Sequence, residues 1–301
     1  MKILLLINGV AGNNFGKRNA YKIIEKLSLQ GNEVFVFPIL PSEGLESSEI
    51  IASHRGEFDA VACCGGDGTL HYVINGLLKD GQKKPILYIP AGTTNDFAKT
   101  LGIPPASDKT LNLLENGELL TFDIGRFNDE YFDYVAAFGA FTDVSYSTDQ
   151  NVKNLLGYSA YLFQSLGTAT DALNMKIRMR VESEEYSGEG EFIYGSVSNS
   201  YSLAGIRTPL LSEVKLNDGN FEVALVKAPK NAGDLLEILR SVSTGELDDK
   251  HIKIYRTKKV SFHFEQEVPW TLDGEFGGSY KDVEIRVVPE AVSIYTEKKR
   301  S

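Results

Sequence analysis

Cysteine is almost missing from this chain: Cys63 and Cys64 are its two, and they are neighbours. Adjacent residues of a strand point to opposite faces, so the pair is badly placed to bond to itself. That excludes a disulfide framework and fits a reducing compartment, so a cytoplasmic protein is expected. Long apolar runs are lacking too. No stretch approaches the roughly 20 apolar residues that cross a bilayer as a helix. The opening Met1-Lys2-Ile3-Leu4-Leu5-Leu6-Ile7 is too short for a signal peptide and reads as a first strand. Any membrane contact is expected to be peripheral. Positive charge is the third shortage: 31 Lys and Arg face 41 Asp and Glu, for a net charge of −10. A general nucleic-acid binder needs clustered cations, so no nucleic-acid partner is expected. Two small basic clusters remain, Arg256 with Lys258 and Lys259, and Lys298 with Lys299 and Arg300. They read as solvated surface or as a foothold on an anionic membrane.

What the chain does have is material for more than one core, with 301 residues of which 42% are hydrophobic. Up to about residue 120, strand and helix alternate. Periodicity predicts strands over residues 2–7, 33–37, 59–64 and 85–89, and helices over 17–29, 46–54 and 70–78. Such alternation predicts a doubly wound parallel sheet covered on both faces. Beyond that point strands dominate, over 122–127, 130–137, 175–181, 191–198, 221–226, 260–264 and 283–287. Turn signals such as Asn128-Asp129 and Asn217-Asp218-Gly219-Asn220 separate them, and helices are expected over 155–172 and 232–241. The fold class is therefore two-domain α+β: an α/β domain over 1–122 and a mainly antiparallel β domain over 123–290. The chain end, 291–301, can return to the first domain. No Pro/Ser-rich linker marks the boundary near Asp123, which predicts close packing across a cleft.

The first turn with chemistry in it is Gly65-Gly66-Asp67-Gly68-Thr69, directly after the apolar run Ala60-Val61-Ala62-Cys63-Cys64. Bare backbone at a strand's carboxyl end brings N–H groups close to a phosphate, and Thr69 adds a hydroxyl. Asp67 is out of place there unless a divalent cation lies between it and the phosphate. A second turn, Pro90-Ala91-Gly92-Thr93-Thr94-Asn95-Asp96, repeats the logic after the next strand. Thr93 and Thr94 can donate to phosphate, and Asn95 or Asp96 can cap a helix. Ligands of open parallel sheets bind at this end of the strands. A third acid, Asp123, opens Asp123-Ile124-Gly125.

These motifs, followed by Asp273-Gly274-Glu275, occur in the order found in diacylglycerol kinases of the soluble bacterial type, which the chain resembles over nearly its whole length. Sphingosine and ceramide kinases share that catalytic core, and NAD kinase and phosphofructokinase a related first domain. The resemblance implies a lipid kinase using ATP and Mg²⁺. Gly65, Gly66, Asp67, Gly68 and Thr69 would hold ATP phosphates, with Thr94 and Asn8 nearby. Asp67, Asp96 and Asp123 would form a water-linked network orienting the catalytic Mg²⁺, a cation that prefers carboxylate oxygens and retained waters. Glu275, with Asp273 beside it, matches the general-base position, and which of the two takes the proton stays open. Asp218 matches a structural Mg²⁺ site completed by backbone carbonyls, here of Lys215 and Asn220. The acceptor's acyl chains would face an apolar wall, for which Trp270, Phe138, Phe141, Tyr158 and Phe163 are candidates alongside ordinary core roles. A lipid at a membrane surface is the expected partner, and a homodimer is a further one because relatives form dimers.

The chain departs from the family after its first strand. The usual Asn-Pro-x-x-Gly turn is here Asn8-Gly9-Val10-Ala11-Gly12, without the proline and followed by Asn13-Asn14-Phe15-Gly16. A less rigid turn beside the nucleotide is expected, with Lys17 or Arg18 in reach of phosphate. His71 is expected on a surface or lining a cleft. The competing readings are NAD kinase, which lacks the Gly-Thr-Thr-Asn-Asp and Asp-Gly-Glu pair; a kinase for another lipid such as a sphingoid base or phosphatidylglycerol; and a non-catalytic nucleotide- or lipid-binding regulator.

Overall fold

The computed structural model describes residues 1–40, 42, 44–93, 95–139, 173–199, 216–244 and 250–298, the side chains of residues 96, 100, 242 and 243 excepted. The chain forms two compact units, one of Met1–Phe122 with Glu290–Ser301, the other of Asp123–Pro289.

In the first unit the order is β1 (Lys2–Asn8), α1 (Ala11–Leu29), β2 (Glu33–Ile39), α2 (Ser47–Ser53), β3 (Ala60–Gly65), α3 (Asp67–Lys79) and β4 (Ile86–Pro90). Short helices α4 (Asp96–Thr100), α5 (Asp108–Leu111) and α6 (Leu113–Asn116) follow. Strand β5 (Glu118–Phe127) carries the chain into the second unit, and β13 (Glu275–Thr296) brings it back. The sheet order is β2-β1-β3-β4-β13, every neighbour parallel. Residues of β3 and β4 are buried at every position, as the continuous apolar runs require of strands covered on both faces. Helix α1 buries Ile23 and Leu27, four residues apart on one face.

Two local readings shift. The helix expected over 70–78 starts at Asp67, since Gly66 in extended conformation serves as its N-cap. The turn after β1 is not merely loose. Gly12, Asn13 and Asn14 all adopt left-handed φ values, of 47°, 54° and 61°, before the right-handed helix begins. Asparagine tolerates that region better than other side-chain-bearing residues, which explains the Gly-Asn-Asn run where the proline is absent.

The second unit adds β6 (Glu130–Phe132), β7 (Val135–Gly139), β8 (Ile177–Ser183), β9 (Ser187–Ser198), β10 (Phe221–Lys227), α7 (Ala232–Thr244), β11 (Ile252–Thr257) and β12 (Lys259–Leu272). The β7, β8, β9, β10, β11 and β12 pairings, with β12–β13 and β5–β6, are antiparallel, and β7 and β8 succeed one another between β9 and β12. Its core is aromatic. Trp270 is fully buried, with ring centroids of Phe138 at 4.7 Å, Phe127 at 5.0 Å and Phe262 at 5.4 Å. Trp270 and Phe138 are thus core residues with no face left for an acyl chain. Phe141, Tyr158, Phe163 and the helix expected over 155–172 lie outside the described residues.

Three strand readings also change. The run 130–137 splits at Asp133 and Tyr134, whose N–H groups are drawn off to Asp273. Strand β11 went unread because basic residues interrupt its short apolar alternation. Strands β12 and β13 run far past the apolar stretches 260–264 and 283–287, through polar residues that a ladder tolerates on an exposed face. Among the described residues, no helix is long and apolar enough to cross a membrane.

Candidate functional site

Three turns meet at the carboxyl ends of β1, β3 and β4. Gly66 and Gly92 face each other backbone to backbone: a Cβ on Gly92 would lie 2.6 Å from the Gly66 Cα. A Cβ on Gly12 would land on the Ala91 carbonyl, at a left-handed φ besides. Ala91 N–H donates to Gly65 O at 2.7 Å, which extends the β3–β4 pairing into the turns. Asn8 joins the turn after β1 to the Gly65–Thr69 turn, its Nδ2 donating to Thr69 Oγ1 at 3.0 Å while its Oδ1 accepts from Val10 N–H at 3.1 Å. Thr69 Oγ1 thus accepts from protein and keeps its proton to donate.

Asn95, at φ 49°, clamps its own turn. Its Oδ1 accepts from Gly92 N–H and its Nδ2 donates to Gly92 O, both at 2.9 Å. Asn95 thus sits at the N-cap position of α4, one of the two residues expected there, but its side chain clamps the turn and makes no capping bond to the helix. Asp67 is the first residue of α3, at the positive end of the helix dipole, where the first N–H groups have no partner one turn back. Tyr88 donates its hydroxyl to Asp67 Oδ1 at 3.2 Å. Burial, and then the Asp67 charge, push the Tyr88 phenol well above its usual range, so it stays a donor. A lone tyrosine in the apolar strand Ile86-Leu87-Tyr88-Ile89-Pro90 was the available signal, because a buried hydroxyl needs a partner. Thr94 and the Asp96 side chain lie outside the described residues. Lys17 and Arg18 are exposed on α1, and His71 sits on α3 with Asn75 Nδ2 at 3.3 Å from its Nε2.

The donor set of this unit fits a nucleotide's phosphates: bare backbone at Gly65–Thr69, a helix N-terminus and a hydroxyl. Asp67 offers a hard carboxylate oxygen of the kind that Mg²⁺ prefers.

In the second unit, Asp123 is buried, and its Oδ2 accepts from Gly219 N–H at 2.7 Å. Asn199, which sequence reading missed, ties the same stretch together. Its Nδ2 donates to Asp123 O at 2.9 Å and to Leu216 O at 3.1 Å. Asp218 accepts Asn220 N–H on Oδ1 at 3.0 Å and the Arg256 guanidinium on Oδ2. Arg256 Nε also donates to Glu222 Oε1 at 3.0 Å, and Lys259 pairs with Glu284. Two of the three cations of that cluster, Arg256 and Lys259, thus pair with acids of the same unit while staying exposed. Lys215 lies outside the described residues.

Glu222 is 1% exposed, and burial pushes its carboxyl up to about 7 even though Arg256 pulls it down. A folded pKa above the unfolded one makes the protein most stable with Glu222 protonated. That contribution is complete below about 4.5 and lost as pH rises through about 7. Glu222→Gln should therefore raise the melting midpoint at pH 8 and leave it nearly unchanged at pH 4.5, with a stability difference on the order of 2–3 kcal/mol at the higher pH. Parallel melting curves of both proteins across that range, with a constant offset, would contradict the assignment.

The two acids of Asp273-Gly274-Glu275 prove to have different surroundings. Asp273 and Gly274 form the two-residue turn between β12 and β13, with φ values of 51° and 91°. Both Asp273 oxygens accept backbone N–H groups, Oδ2 from Asp133 at 2.6 Å and Oδ1 from Tyr134 and Val135 at 2.9 Å each. Glu275 opens β13, exposed and with no side-chain hydrogen bond among the described residues. Tyr134 and Phe276 are also exposed, Phe276 by 60%.

Residues 2–127 match the family of the diacylglycerol kinase catalytic domain, and residues 137–296 that of the YegS C-terminal NAD kinase beta sandwich-like domain. A diacylglycerol kinase of Staphylococcus saprophyticus is 30% identical over 276 residues, covering 91% of this chain and 88% of that protein. One of Bacillus subtilis is 28% identical over 276 residues, covering 91% and 89%. A crystal structure of a diacylglycerol kinase from Bacillus anthracis shares the fold, with a TM-score of 0.71 over 99% of this chain and 97% of that one, at 19% identity. Its glycine turns, its Asp-Gly-Glu hairpin and these matches along both units place the chain in the diacylglycerol kinase family of lipid kinases.

Proposed function

We propose that the protein transfers the γ-phosphoryl group of ATP to the free hydroxyl of diacylglycerol, giving phosphatidic acid and ADP, as a peripheral enzyme at a membrane surface. The observation that carries the mechanism is the division of labour in Asp273-Gly274-Glu275. Asp273 spends both oxygens on the backbone of 133–135, while Glu275 presents an exposed carboxylate with no side-chain hydrogen bond among the described residues. Glu275 is then the base and Asp273 the residue that fixes its turn. The acceptor oxygen gives its proton to Glu275 and forms the bond to the γ-phosphorus, while the bond from that phosphorus to the β–γ bridging oxygen breaks and ADP leaves. Thr69 and the first amides of α3 hold the phosphates, with the glycine turns keeping side chains away from them. Asp67 would hold a Mg²⁺ ion, which would supply neutralisation of the charge on the phosphoryl oxygens.

The choice of diacylglycerol over other lipids is supported by relatives bearing that name along nine-tenths of the chain. A panel of diacylglycerol, sphingosine, ceramide and phosphatidylglycerol in mixed micelles with labelled ATP tests it. Diacylglycerol should give the highest kcat/KM. A higher value for another lipid would replace the acceptor and leave the kinase reading in place. Nucleotide binding without transfer to any lipid would favour a non-catalytic regulator.

A further inference from the structure

The family resemblance implies a structural divalent cation at Asp218, yet the carboxylate already has a cation of the protein's own. Residues Glu222 and Arg256 are direct partners in the β10–β11 ladder, so their side chains rise from the same face of the sheet. Strand pairing thereby delivers the guanidinium to a fixed place. Its Nε donates to the buried Glu222 at 3.0 Å, and its Nη2 reaches on to Asp218 Oδ2. The rest of Asp218 is engaged as well: Oδ1 accepts from Asn220 N–H and the main-chain carbonyl from Asn220 Nδ2, each at 3.0 Å. A Mg²⁺ ion needs a near-octahedral shell of oxygens and waters. Here the carboxylate oxygen it would take carries a guanidinium, whose planar fork of donors suits a bridge between two carboxylates. A second cation at that oxygen would be repelled by the first.

We propose that Arg256 is the resident counter-ion of Asp218 and takes the place of a divalent cation there, so that this stretch of the second unit holds its shape without metal. The divalent requirement of the protein is then confined to the acids that serve the nucleotide. This inference is independent of the acceptor lipid and of turnover, because its test uses the full chain without nucleotide.

Melting is measured in excess chelator and in millimolar Mg²⁺ for the parent protein, Asp218→Asn, Arg256→Gln and Arg256→Lys. The parent midpoint should agree between the two buffers to within about one degree. Arg256→Gln should melt roughly 5–10 °C lower in chelator, because it strands two carboxylates, one of them buried, and millimolar Mg²⁺ should recover part of that loss. Arg256→Lys keeps the charge and should fall between the two, which covers the case in which Arg256→Gln does not fold. A parent midpoint that rises by several degrees with Mg²⁺, a rise abolished in Asp218→Asn, would overturn the proposal. So would an Arg256→Gln protein as stable as the parent in chelator.

Discussion

Glu275→Gln is expected to lower kcat by about two to four orders of magnitude with little change in KM for either substrate. The substitution keeps size and hydrogen-bonding reach and removes the ability to accept a proton. Glu275 makes no side-chain hydrogen bond among the described residues, so its loss should leave the melting midpoint near that of the parent. The neighbouring acid gives the contrast. Three backbone N–H groups, those of Asp133, Tyr134 and Val135, converge on the two oxygens of Asp273. An amide supplies only one such oxygen and sets an NH₂ against a backbone donor. Asp273→Asn should therefore cost about 1–3 kcal/mol of stability, and reduce kcat less than Glu275→Gln does. Its kcat–pH profile should keep the parent's shape, since the base is untouched. Near-parental turnover in Glu275→Gln, or a larger kcat loss in Asp273→Asn at unchanged melting, would exchange the two roles.

Sequence alone could not divide those roles. Both acids lie in one tripeptide, and what separates them is the approach of residues 133–135, about 140 positions away along the chain. The same limit recurs elsewhere. The parallel strands β1, β3 and β4 were legible because burial on both faces leaves an unbroken apolar run. Strand β11 was not, because the ladder it joins is non-local and its own residues are half basic or polar. The glycine turns announced themselves, since close backbone approach forbids a side chain whatever the wider fold. Asn199, by contrast, is an ordinary polar residue at a strand end until the carbonyls of Asp123 and Leu216 are brought to its amide. Arg256, counted with Lys258 and Lys259, reads as surface charge and is exposed, but only the register opposite Glu222 pairs it with that buried acid.

Asp67→Asn is the second substitution with a large expected effect: loss of turnover by at least about a hundredfold in a protein that still folds. The structural cost is small for identifiable reasons. Asparagine keeps an oxygen for the Tyr88 hydroxyl, which reaches Asp67 Oδ1 at 3.2 Å. It also remains an acceptable residue in the first turn of α3, where losing the negative charge costs about 0.3–1 kcal/mol against the helix dipole. The melting midpoint should thus fall by only a few degrees. Catalytically the change reaches further, because the carboxylate is the group at this turn that can hold Mg²⁺ beside phosphate, and an amide oxygen carries no charge to do so. Tyr88→Phe supplies the control. It leaves the carboxylate and removes only its hydrogen bond, so a moderate kcat loss with the Mg²⁺ dependence preserved is expected. If Asp67→Asn turned over near the parental rate, or if it lost activity only in proportion to a collapse in melting temperature, Asp67 would be a helix-terminal residue and the metal reading of the first turn would fall with it.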